Sequence, residues 1–279
     1  MERVYINERM RNDSLLTSSD GLRLIFAGVG AARAKRHFQT NFLIVKGDHH
    51  VMVDLGMTAP AALDHLGIDL CDLNVVLPTH GHADHIGGME SLAIDSRYIC
   101  QKKPVLIVNP EWERVLWENS LRGGLEYNEQ NPEGKRLTLR DYFDIVQPVW
   151  KTNSPREIWT CSIGDIHLEI FRTKHTPDSS KDWQDSFLSF GVMIDNRVFV
   201  SCDTRFDPDL IDLYRHAEYM FHDVQFFPGA VHAPLADLRT LDDEIKSKME
   251  FFHIADNWGD QDIDGFAGFA QQETIYHFG

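Results

Sequence analysis

No apolar run in this chain approaches the roughly 20 residues that a membrane-crossing helix needs, so no membrane role is expected. The first residues, Met1-Glu2-Arg3-Val4-Tyr5, lack the apolar core of a secretory signal, and a cytoplasmic location is expected. Cysteine is scarce. Cys71, Cys100, Cys161 and Cys202 are scattered without C-x-x-C spacing. That argues against a zinc knuckle or a disulfide frame and reads as the reduced thiols of a cytosolic protein. Positive charge is also short: 27 Lys and Arg face 43 Asp and Glu, for a net charge of −16. Long nucleic acids are gripped mainly by neutralising phosphates, so such a partner is not expected. Lys102-Lys103 and the segment Arg33 to His37 are the basic candidates, and both read as solvated surface.

What the chain does have is a 43% hydrophobic content over 279 residues, enough for a substantial core, and 14 histidines. Histidine is the commonest metal ligand. Four potential ligands fall within six positions in Thr79-His80-Gly81-His82-Ala83-Asp84-His85-Ile86-Gly87-Gly88, an H-x-H-x-D-H pattern. The apolar run Leu73 to Leu77 before it reads as a buried strand, a rigid support for ligands. His80 and His82 are two apart, so both rings can face one way in an extended turn, with room left by Gly81. Asp84 and His85 would open the following helix and reach a second metal nearby.

This stretch resembles the signature of the metallo-β-lactamase superfamily, whose members are mostly dinuclear metal hydrolases. The resemblance covers about residues 22 to 255. It implies an α/β (α+β) chain folded as a four-layer αββα sandwich. One domain spanning 1–279 is expected, with its core at 22–255. The polar segment 122–141 reads as a loop insertion or lid.

Periodicity alone gives a mixed α/β protein. Strands are expected at Leu22 to Ala27, Asn41 to Val45, Val51 to Leu55, Pro104 to Val108, Ile158 to Cys161, Ile166 to Thr173, Phe187 to Ile194, Val198 to Cys202 and Tyr219 to His222. Helices are expected at Ala59 to Leu66, Asp84 to Leu92, Glu111 to Leu121, Asp207 to His216 and Leu235 to Phe251.

The superfamily resemblance supplies the rest of the site. His175 lies where the family's third ligand falls, Asp203 matches its bridging aspartate, and His253 matches its final histidine. The implied set is His80, His82 and His175 on one metal and Asp84, His85 and His253 on the other, with Asp203 between. Asp54, in an Asp-x-Gly, would orient a ligand histidine. The donors suit two divalent ions, zinc first, with iron or manganese also compatible. A metal-bridging hydroxide would be the nucleophile, and Asp84 could also orient it.

Phe221-His222-Asp223-Val224-Gln225-Phe226, followed by Val231-His232-Ala233-Pro234, is similar to the ribonuclease Z branch. There a histidine assists the leaving group. His232 is then a candidate general acid held by Asp223, with His222 supporting. Aspartate here replaces the branch's glutamate.

The leading expectation is a phosphodiesterase acting on a small phosphorylated or cyclic-nucleotide-like substrate. Transfer-RNA processing fits less well, because the chain lacks a Gly-Pro-rich clamping arm. The glyoxalase II class shares the T-H-x-H-x-D-H-x-G-G run, but the distal His222-Asp223 and His232 segments fit it less well. The alternative is a diiron oxygen-binding sensor, which the same cage would serve and which the segment around His222 also resembles. His82 argues against flavin-partnered diiron reductases, which carry glutamate there. A homodimer would be ordinary for the superfamily.

Overall fold

The computed structural model describes residues 1–7, 10, 15–229 and 231–279. Strands β1 (Glu2–Tyr5), β2 (Ser18–Gly28), β3 (Asn41–Gly47), β4 (His49–Val53), β5 (Val75–Leu77), β6 (Val105–Ile107) and β7 (Asp144–Val146) belong to one sheet. Strands β8 (Val149–Thr152), β9 (Ile158–Ile163), β10 (Ile166–Arg172), β11 (Phe190–Ile194), β12 (Val198–Val200), β13 (Tyr219–Asp223), β14 (Met249–Phe252) and β15 (Gly268–Phe269) form the other, side by side in chain order. β16 (Thr274–Phe278) returns to the first sheet and lies between β1 and β2. β1 and β16 thus extend the sandwich beyond residues 22–255.

Both sheets are antiparallel where they are built from hairpins and become parallel later. The switch comes at β4–β5 in the first sheet and at β12–β13 in the second. Parallel neighbours require crossovers, and helix α1 (Ala59–Leu66) supplies the one between β4 and β5. The central strands are buried on both faces: every residue of β2 from Leu24 to Gly28 is buried, as are all of β11, β12, β13 and β14. This explains why the sequence shows continuous apolar runs and not alternation. The two sheets meet through aromatic rings. Phe26 of β2 lies 4.9 Å from Phe221 and 6.2 Å from Phe252 across the interface, and 5.3 Å from Phe42 beside it.

Four expectations need correction. The helix expected at Asp84 to Leu92 is two helices, α2 (Ala83–Ile86) and α3 (Met89–Tyr98). The Gly87-Gly88 pair interrupts them, and the Gly88 N–H bonds to the Leu55 carbonyl. Leu235 to Phe251 is not one helix. It holds two single turns, Leu235–Leu238 and Asp243–Lys246, and then β14. Met249, Phe251 and Phe252 are completely buried and pair with β13, so tertiary burial overrides the helical spacing. The segment 122–141 begins and ends in short helices, Arg122–Leu125 and Leu139–Tyr142. It is tied to α3 by Arg97, which donates to Glu129 and to the Asp141 carbonyl.

The fourth correction concerns cysteine. Cys71 and Cys100 form a disulfide, with Cα atoms 5.6 Å apart. The end of α3 comes back beside the turn that enters β5, a proximity invisible in sequence spacing. Cys161 and Cys202 are free thiols. The scattered cysteines therefore no longer argue for a reducing compartment. Among the described residues no helix is long and apolar enough to cross a membrane.

The aromatic contact between the sheets predicts that Phe26→Ala costs about 3–5 kcal/mol of folding stability. Urea unfolding measures it, and a loss below about 1 kcal/mol would contradict this packing.

Candidate metal centre

The candidate residues gather at the carboxyl ends of strands from both sheets. β4 leads into Asp54, β5 leads into His80 to His85, and β10 leads to His175. β12 leads to Asp203, and β14 to His253. Three of these turns hold a non-glycine residue in the left-handed region: Asp54 (φ 62°), Cys202 (φ 49°) and His253 (φ 54°). Such backbone is strained, and strain of this kind gathers where a side chain must be aimed. Gly56 lets the β4 turn touch the motif itself, since a Cβ there would lie 1.9 Å from the Asp84 carbonyl oxygen.

Two groups of donor atoms result. His80, His82, His175 and Asp203 form one, and Asp84, His85, Asp203 and His253 the other. Nδ1 of His82 lies 3.0 Å from Nε2 of His80 and 3.2 Å from Nε2 of His175. In the second group Nε2 of His85 and Nε2 of His253 each lie 3.3 Å from Asp84 Oδ2. Ligands placed tetrahedrally about 2.1 Å from one ion would be about 3.4 Å apart, so these spacings fit a shared cation. Asp203 joins the groups. Its Oδ2 is 3.3 Å from His85, 3.6 Å from His175, 3.6 Å from His253 and 3.7 Å from His80.

Hydrogen bonds behind the cluster set which nitrogen faces inward. His85 Nδ1 donates to Asp54 Oδ2 at 2.6 Å, and Asp54 in turn accepts from the Thr79 N–H and hydroxyl. His175 Nδ1 donates to the Val231 carbonyl at 2.8 Å. The Nε2 atoms thereby face the centre, as lone pairs once the rings are neutral. His85 Nε2 and Asp203 Oδ1 are buried and have no hydrogen-bond partner. Converging lone pairs and an unpartnered buried carboxylate oxygen are costly without a cation, and so the residues present fit bound metal.

Electrostatics divides the two groups. Burial lowers His80 well below the ordinary histidine value and His175 to about 4, against the pull of Asp203. Both are neutral and ready to donate. His85 is held well above the ordinary value: burial opposes this, but the Asp203 and Asp54 carboxylates outweigh it. Asp203 is held well below the usual carboxylate range; burial opposes that too, and His253 and His85 prevail.

At the rim, His232 is largely buried, with its side chain 19% exposed. Its Nδ1 donates to Asp223 Oδ2 at 2.9 Å and lies 3.8 Å from Asp203 Oδ2. Its pKa is raised: burial opposes, while Asp203 and Asp223 raise it. Asp223 Oδ2 also accepts from the Thr204 N–H. His222 is fully buried and lies outside both donor groups. It bonds the Asp223 carbonyl at 2.8 Å and sits 3.3 Å from that carboxylate.

Sequence reasoning missed several neighbours. Phe187 stacks on His82 with ring centres 5.9 Å apart. Arg172 is buried, and its Nη2 donates to the carbonyls of Trp183, Ser186 and Phe187, fixing the loop that carries this ring. The Cβ of any larger residue at Gly81 would meet Phe187 at 3.2 Å. No local pattern marks Arg172, because its partners are carbonyls 11 to 15 residues away.

Two predictions follow from this geometry. At neutral pH the metal-free protein carries a proton on His85 that metal binding must displace, so affinity rises with pH up to the raised pKa of that residue. Calorimetric zinc titration in buffers of different ionisation enthalpy will show net proton release at pH 7; no release would contradict the assignment. Asp54→Asn will weaken metal binding about 10–100-fold in a chelator competition, and unchanged affinity would remove Asp54 from its supporting place.

Comparison with known proteins places this geometry. The family model described as "Anti-Pycsar protein Apyc1" matches residues 22–276. The anti-Pycsar protein Apyc1 of Paenibacillus sp. (strain J14) is 32% identical over 265 residues, covering 91% of this chain and 98% of that protein. The protein of the same name from Bacillus phage 010DV004 is 34% identical, covering 86% of this chain and 91% of its own length. Among solved structures, the metallo-β-lactamase fold protein YhfI from Bacillus subtilis superposes with a TM-score of 0.66 at 13% identity, covering 92% of this chain and 99% of that one. Human tRNase Z, short form, gives 0.61 at 12% identity, covering 91% and 98%. With this architecture and these relatives, the chain has the metallo-β-lactamase fold and belongs to the anti-Pycsar protein Apyc1 family.

Proposed function

We propose that this protein is a dinuclear metal-dependent phosphodiesterase that opens a cyclic nucleotide. The observation that carries the reading is the position of Asp203: one buried carboxylate oxygen within 3.3–3.8 Å of nitrogens from five histidines. His80, His82 and His175 would hold one ion, and Asp84, His85 and His253 the other, with Asp203 shared. Zinc is the first choice, and manganese or iron suits the same donors. Bound there, divalent ions would lower the pKa of water toward neutrality and stabilise charge on the phosphate.

The chain's own residues supply the rest. Asp84, on the turn that opens α2, holds its carboxylate against His85 and His253 and can orient the attacking water. Asp223 fixes the His232 ring through Nδ1, which leaves its other nitrogen to protonate the departing ribose oxygen. Its raised pKa keeps that proton available further into the neutral range. His222 steadies Asp223 from within the core. Phe187, half-buried on His82, helps to shield the site from water.

The name shared by the relatives, which points to opposition of a cyclic-nucleotide system, favours this reading over a diiron oxygen sensor. We infer a cytoplasmic place of action from such a substrate, and a homodimer of single-domain subunits from the superfamily resemblance.

The test is incubation of zinc- or manganese-loaded protein with 3′,5′-cyclic nucleotides, with chromatography for the nucleoside monophosphate. His232→Ala will retain metal and slow opening by about 10²–10⁴-fold. Unchanged cleavage in that variant would end its role as general acid. Failure of the loaded wild-type protein to open any cyclic nucleotide would end the substrate assignment.

A further inference from the structure

Beside His232 lies a cavity of about 400 Å³, within the usual range for a small-molecule site. Lys174, Arg205 and Phe206 line it, as do Asp178 and Asp237. Lys174 borders two cavities, and of these only this one includes His232.

Its two cations have different employment. Arg205 is already engaged: its guanidinium donates to the carbonyls of Asp178 and Ser180 and to the Ser180 hydroxyl. It organises the wall. The Lys174 side chain is partly buried, and among the described residues its ammonium has no ion-pair or side-chain hydrogen-bond partner. An ammonium with no protein acceptor is free to donate to a ligand oxygen.

The position of Lys174 is fixed relative to the donor cluster. It precedes His175 in the chain, and Arg205 follows Asp203 by two residues. The two segments are tied together, with the Arg205 N–H on the Lys174 carbonyl at 2.6 Å and the Lys174 N–H on the Thr204 hydroxyl at 3.2 Å. Consecutive side chains on an extended chain point to opposite sides, so with His175 aimed at the centre Lys174 reaches the adjoining space.

The lining also selects the occupant. Two carboxylates, Asp178 and Asp237, make the cavity unsuited to a second phosphate. The apolar ring of Phe206, carboxylate acceptors and one free ammonium suit a neutral group that carries both donors and carbonyl acceptors. A nucleobase with its ribose is such a group.

We propose that this cavity is the nucleoside subsite of the enzyme and that Lys174 is its specificity-determining residue, donating to a carbonyl or hydroxyl oxygen of the nucleoside. The inference rests on the cyclic-nucleotide reading above.

The test compares two substrates that share the phosphodiester but not the nucleoside: a 3′,5′-cyclic nucleotide that the wild-type protein opens, and bis(4-nitrophenyl) phosphate. With Lys174→Met, the ratio of kcat/KM for the cyclic nucleotide to that for the nitrophenyl ester should fall about tenfold, mainly through KM. Lys174→Arg should restore most of the ratio. Metal content, measured on each variant, guards against damage to the centre. Equal losses on both substrates would place Lys174 on the phosphate and overturn the proposal, as would an unchanged ratio. A wild-type protein that cleaves the nitrophenyl ester but no cyclic nucleotide would overturn the underlying reading itself, a result visible before any variant is made.

Discussion

The Asp203 carboxylate is buried among histidine nitrogens, and the rest of the architecture is arranged around that electrostatic constraint. A carboxylate removed from water is expensive unless opposite charge surrounds it. Here the surrounding imidazoles come from both sheets: the β5 turn brings His80 and His85, β10 brings His175, and β14 brings His253. Without metal, only a proton on groups such as His85 offsets the charge, which is why the pKa of His85 stands so high. With metal, the same donors become a cage.

Holding that cage has consequences for the backbone. Asp54, Cys202 and His253, in the turns that carry the site, all adopt left-handed conformations that non-glycine residues seldom take. The core compensates. Phe26 packs against Phe42, Phe221, Phe252 and Tyr276 where the two sheets meet. Burial of this size overrides local strain and fixes the strand ends from which the donors project. Rigidity matters because a metal site tolerates little misplacement of its ligands.

The legibility of the sequence followed the range of the interactions. H-x-H-x-D-H was readable because its donors are neighbours in the chain and follow an apolar strand. His175, Asp203 and His253 could be named because each follows a strand end in the order implied by the superfamily resemblance, and the structure brings all three beside the motif. The pairing of His232 with Asp223 was also anticipated, despite aspartate standing where the branch has glutamate. What could not be read depends on distant contacts. β14 looked helical because its pairing with β13 is invisible in local spacing. Cys71 and Cys100 looked independent because 29 residues separate them. Arg172 and Phe187 act through a loop whose course no pattern encodes, and Lys174 gains interest only from the cavity beside it.

The proposed chemistry depends on two ions sharing Asp203. Anomalous diffraction from crystals of the zinc-loaded protein tests it most directly. Two peaks about 3.5–4 Å apart are expected, each within bonding distance of the Asp203 carboxylate. A single peak, or two peaks of which only one touches Asp203, would contradict it.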